Sequence, residues 1–142
     1  MTDIIKLLSK EDQEKFSTNF FIEHEDIHYN DNMIVEDVLK TKIAENNATN
    51  LLLIETEKQL TEQKTKLTEK QITLKYSSEY TKPYEDIKGK LKEPSLKERE
   101  EKATLETIDI QKTIDQLEHK KDILQANLQG LQYEIRLLFK QL

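Results

Sequence analysis

The chain contains no cysteine and no tryptophan, and only two glycines and two prolines in 142 residues. Without cysteine there is no disulfide and no thiolate metal site, which is compatible with a reducing compartment. So few Gly and Pro leave few tight turns, and a chain that turns few corners favours long helices over a many-stranded fold. Apolar runs are also short. None approaches the roughly 20 residues that a bilayer requires, so no membrane-spanning segment is expected. Met1 to Lys10 lacks a cationic leader and a small-residue cleavage site, which reads as unsecreted. The sequon Asn47-Ala48-Thr49 is then a chance match.

Excess positive charge is missing as well. The formal net charge is −6 and the pI about 5.2, whereas a phosphate grip draws its affinity from clustered Lys and Arg. Contact with RNA is therefore expected to be indirect at most. The Lys-rich stretch 88–102 is interrupted by glutamates and reads as a solvated face.

What is abundant is helix-forming polar residues with a periodic apolar minority, which predicts an all-α chain. Four segments separate. Residues 1–31 are mixed: Thr2 is positioned to cap a turn through Ile4, Ile5, Leu7 and Leu8, followed by the apolar knot Phe16, Phe20, Phe21 and Ile22. Residues 32–80 read as a first long helix, with Asn32 as its N-cap. Its seam is Leu53, Leu60, Leu67 and Leu74, one per heptad, with polar companions Glu57, Lys64 and Gln71; a wider apolar face, Val35, Val38, Leu39, Ile43, Leu51, Leu52 and Ile54, lies upstream. Residues 81–94 are a break bounded by Lys82-Pro83 and Glu93-Pro94, within which 84–91 is expected to form two helical turns. Residues 95–142 read as one helix. Ser95 is its expected cap, and Glu98 its partner in a capping box.

That last helix carries the clearest signal. Steps of three and four from Ile110 land on Ile114, Leu117, Lys121, Leu124, Leu128, Leu131, Ile135, Leu138 and Leu142, and only Lys121 is not Ile or Leu. A repeat this regular predicts a left-handed supercoil with a partner helix. Lys121 either packs its stem and sends its amine to solvent, or pairs with an acid opposite. The flanking e and g positions, Asn127 among them, are mixed and suit a heterologous partner. Gly130 falls at an outward position, where it costs about 1 kcal/mol against Ala, with no reason visible in the sequence. The expected partner interface is thus Ile110 to Leu142 at these spacings, together with Leu53, Leu60, Leu67 and Leu74.

"HEDIH" (24–28) satisfies the zinc-protease pattern, in which two histidines one turn apart hold a metal and the glutamate acts as base. A working site needs a third ligand, an open position and a dry cleft. The other histidine, His119, falls at a solvent-facing position of the last helix, and carboxylates crowd the motif. An exposed polar segment is the better reading, with adventitious metal as the alternative. No nucleophile triad, glycine-rich phosphate loop or paired-carboxylate cleft is visible, so neither an enzyme, a cofactor nor a small-molecule substrate is expected.

From Leu53 onward the layout resembles the THO complex subunit 7 family, small coiled-coil proteins of the nuclear assembly that couples transcription to mRNA packaging and export. The resemblance rests on "EYTKPYEDIKGKLKEP" (79–94). Tyr84, Ile87, Leu91 and Pro94 match that family's Tyr, its two spaced apolar residues and its Pro, with Glu79-Tyr80 as a competing alignment of the Tyr. Ala103, Ile110, Leu124, Leu131 and Ile135 then fall in register with its apolar positions. The resemblance implies a nuclear, non-enzymatic subunit that winds along THO complex subunit 5 and joins the larger scaffold subunits. The residues alone leave open a scaffold subunit of another assembly, such as a kinetochore, Mediator or tethering complex. A hairpin of the two long helices and parallel winding along a partner are both open, and the resemblance favours the second. On that reading the isolated chain cannot cover its own seam.

Overall fold

The structure is a computed structural model that describes residues 4–23 and 34–142, with side chains throughout except at 21–23. The HEDIH segment, the expected caps Thr2 and Asn32, and the side chains of Phe21 and Ile22 lie outside the described residues. A 3-10 turn, Ile5–Leu7, leads into α1 (Lys10–Glu23), α2 (Val35–Lys75), the single turn α3 (Ser78–Thr81), strands β1 (Tyr84–Glu85) and β2 (Leu91–Lys92), α4 (Leu96–Glu106) and α5 (Ile108–Gln141). The all-α expectation holds but for the two short strands.

Besides the end of the first long helix, which stops at Lys75 rather than at residue 80 and is followed by the separate turn α3, three boundaries differ from the sequence reading. The first segment, read as a capped turn and an apolar knot, holds a 14-residue helix, α1. Ser9 starts it by accepting from the Asp12 amide at 3.3 Å while donating to the Asp12 carboxylate at 3.0 Å. The expected single helix 95–142 is interrupted at Thr107 (φ −105°, ψ 14°), whose hydroxyl bonds back to the Ala103 carbonyl at 2.7 Å. Such back-bonding from a β-branched residue bends helices.

The third difference is the break. Residues 84–91 form no helical turns. Asp86 Oδ1 accepts from the amides of Lys88 and Lys90, both at 2.9 Å, and Gly89 turns the chain at φ +75°. An Asp that bonds forward to its neighbours' amides competes with helix, and a Gly in the left-handed region ends it. The result is an antiparallel hairpin with Tyr84 opposite Lys92 and Glu85 opposite Leu91.

The chain divides into two compact units, Met1–Lys58 with Leu117–Leu142, and Gln59–Gln116. In the first, α1, the first part of α2 and most of α5 enclose Ile5, Leu8, Phe16, Ala48, Leu52, Leu53 and Leu124. Each large apolar side chain in such a core is worth about 1.5–3 kcal/mol. Here α2 and α5 run antiparallel: stepping back along α2 from Thr49 to Lys42 steps forward along α5 from Asn127 to Glu134. In the second unit the direction is again antiparallel, since Gln71 bonds Thr107 while Lys75, further on, meets Arg99 and Glu100. Within each unit the long helices therefore fold back on this chain, and the expectation of parallel winding is corrected.

The buried face of α2 is only in part the one its large apolar residues mark. Leu39 and Leu52 are buried, but Leu51 and Ile54 are exposed, and Thr41, Ala44, Glu45, Ala48, Thr49 and Thr56 turn inward instead. Thr41, Thr49 and Thr56 remain tolerable inside because each hydroxyl donates to the carbonyl four residues back, at 3.0, 2.8 and 2.8 Å. Their methyl groups then serve as apolar filling.

Candidate partner interface

Two opposed faces of α5 in the first unit define the site. Leu124 and Leu131 point inward, with Asn127 between them, and all three are buried. Asn127 Nδ2 donates to Thr49 Oγ1 at 2.8 Å, a buried polar contact that ties the register of α5 to that of α2. Lys120 Nζ meets Asp12 Oδ1 at 2.7 Å, and both side chains are largely buried. Lys15 Nζ meets Glu55 Oε1 at 2.8 Å. The Lys15 pKa is raised first by that hydrogen bond and then by the Glu55 charge. These two pairs pin α1 to α5 and to α2.

Part of the expected seam is consumed by the packing within the two units. Ile114, Leu124 and Leu131 are buried; Leu53 and Leu60 on α2 are buried too. Ile110, Leu117, Lys121, Leu128, Ile135, Leu138, Leu67 and Leu74 are half-buried, and Leu142 is exposed. The expectation that a second chain must cover the seam is therefore corrected for its buried members, because residues of this chain already cover them. Lys121 is half-buried.

Opposite the buried face, Ala126, Gly130, Tyr133 and Leu137 follow steps of four, three and four, and all are exposed, Tyr133 at 60% and Leu137 at 41%. A Cβ added at Gly130 would meet nothing within 4 Å, so the packing of this chain gives no reason for glycine there. The outward stripe is faint in the sequence because Ala and Gly dilute the apolar pattern. The signal that marks it is the same alternation of three and four steps, shifted by two residues from the inner seam.

In the second unit, Glu98 does not close the expected capping box. Its amide donates to Ser95 Oγ at 3.2 Å, but its carboxylate accepts the Tyr84 hydroxyl, with oxygen separations of 3.0 and 3.1 Å. That hydrogen bond, followed by burial and the Glu98 charge, raises the Tyr84 pKa. Tyr80 is enclosed with no hydrogen-bond partner for its hydroxyl, and burial, reinforced by the nearby Glu106 carboxylate, pushes its pKa up to about 12. Lys102 sits 5.6 Å from its ring centroid and Arg99 5.7 Å from that of Tyr76.

Among the described residues, no group of three or more His, Asp or Glu is placed to hold a metal, and His119 is exposed. No helix of the described residues is long and apolar enough to cross a membrane.

No family model, no curated protein and no solved structure matches the chain.

Proposed function

We propose that this chain is a non-enzymatic scaffold subunit that folds its inner helical seam on itself and offers the outward stripe of α5 to a helix of a partner protein, in coiled-coil fashion. The observation that carries the reading is the exposed set Ala126, Gly130, Tyr133 and Leu137. Tyr133 and Leu137 bury apolar area on docking, while Ala126 and Gly130 let a second backbone come close. A helix-interior glycine that costs about 1 kcal/mol and serves no contact of its own fold is accounted for by such an approach.

The partner follows from the resemblance of 79–94 and the later heptads to THO complex subunit 7. On that reading it is THO complex subunit 5, the site of action is the nucleus, and the work is holding an mRNA packaging and export complex together. Co-expression of the full chain with that subunit, followed by size-exclusion chromatography with light scattering, tests it. A stable complex of defined stoichiometry is expected. Two proteins eluting separately, each folded, would remove this partner.

A further inference from the structure

The hairpin of the second unit presents a different surface. Ile87 in its turn is fully exposed, and Leu91 on β2 is 75% exposed. An isolated two-stranded hairpin is marginal in water, yet this one is braced. Asp86 Oδ1 holds the amides of Lys88 and Lys90, the Asp86 amide donates to the Lys90 carbonyl at 2.9 Å, and Tyr84 is tied to Glu98 on α4. The bracing fixes two apolar side chains in water, where they gain nothing for this fold.

The charge is just as specific. Within a chain of net charge −6, residues 82–92 carry four lysines against Glu85 and Asp86. Asp86 is occupied in shaping the turn, and its Oδ2 lies 3.9 Å from Lys92 Nζ. Lys88, Lys90 and Lys92 lie on the β2 side, and the first two make no ion pair among the described residues. Backbone alternation completes the surface. Asp86 and Lys90 share a ladder hydrogen bond, so Glu85 opposite Leu91 is the non-bonded pair, and Leu91 turns its N–H and C=O to the outer edge.

We infer that the outer edge of β2 is a docking site for an extended acidic segment of a partner protein, with carboxylates set across Lys90 and Lys92 and an apolar side chain across Leu91. Strand addition satisfies the free edge, and cross-strand opposite charges and apolar pairs select the sequence. A second copy is disfavoured, because two β2 edges would set lysine against lysine. A bilayer is disfavoured too, since an open edge finds no hydrogen bonds in hydrocarbon.

The test uses the full chain and a labelled peptide alternating valine and glutamate, followed by fluorescence anisotropy, with a valine–lysine peptide and phosphatidylserine vesicles as rivals. The valine–glutamate peptide is expected to bind, more weakly as salt rises, and to move the amide resonances of Lys90 to Lys92. Reversing Lys88, Lys90 and Lys92 to Glu should weaken it at least about tenfold and shift preference to the valine–lysine peptide. Leu91→Pro keeps the turn, read from an unmoved Gly89 amide, but blocks the edge, and should also abolish binding. Equal affinity for both peptides, binding that survives Leu91→Pro, or vesicle binding without peptide binding would overturn the inference.

Discussion

Asn127 on α5 donates to Thr49 Oγ1 on α2 at 2.8 Å, beside a cluster of buried Leu, Ile, Phe and Ala side chains. Thr49 Oγ1 at the same time donates to the Glu45 carbonyl. Asn127→Leu strands a buried hydroxyl lone pair and should cost about 1–3 kcal/mol in urea unfolding. Asn127→Leu combined with Thr49→Val removes both partners and should recover much of that loss, while loosening register and promoting self-association in light scattering. A double variant as unstable as the sum of the singles would show that the pair is uncoupled.

Glu45 is buried on the inner face of α2, and its Oε2 has no hydrogen-bond partner. Burial raises its pKa above the ordinary 4.5, with the Lys42 charge opposing. A carboxyl whose folded pKa is raised favours the neutral form, so its contribution to stability is full below the ordinary value and is lost as pH rises through the raised one. Glu45→Gln should therefore stabilise the chain at neutral pH by about 1 kcal/mol and bring no gain in acid. Paired urea titrations at the two pH values check this; an equal effect at both would contradict it.

Tyr80 obeys the same sign at the alkaline end. Its hydroxyl is enclosed without a partner, and burial holds its pKa near 12. Stability should fall as pH climbs from the ordinary tyrosine value toward 12, and Tyr80→Phe should delay that loss. Helicity followed by circular dichroism during alkaline titration shows whether the two chains part company.

The histidines of HEDIH supply a negative control. His24→Ala with His28→Ala should leave zinc content and thermal unfolding unchanged. Stoichiometric zinc in the purified parent chain, lost in this variant, would restore a metal role.

How much of this was readable beforehand follows from particular residues. The break around Pro83 and Pro94, the Ser95 cap and the heptad of α5 were legible, since each rests on local chemistry, but not that the heptad packs on this chain. The hairpin was not, because its cause is the bonding of one side chain, Asp86, to amides that a propensity reading treats as helix-compatible. The inner face of α2 was obscured by threonines, which count as polar in a pattern but pack as small apolar groups once their hydroxyls bond back. The proposed interface differs from the expected one for a related reason. Leu124 and Leu131 give the strongest signal because they hold this chain together, whereas Ala126, Gly130, Tyr133 and Leu137 give a faint one.

Separating those two sets tests the account most directly. Co-expressed with the subunit 5 protein, the full chain carrying Tyr133→Glu and Leu137→Glu should keep its helicity by circular dichroism and lose partner retention. Leu131→Asp should instead unfold the chain even alone, by placing a charge in its core. A Tyr133→Glu/Leu137→Glu chain that still holds the partner as tightly as the parent would contradict the account.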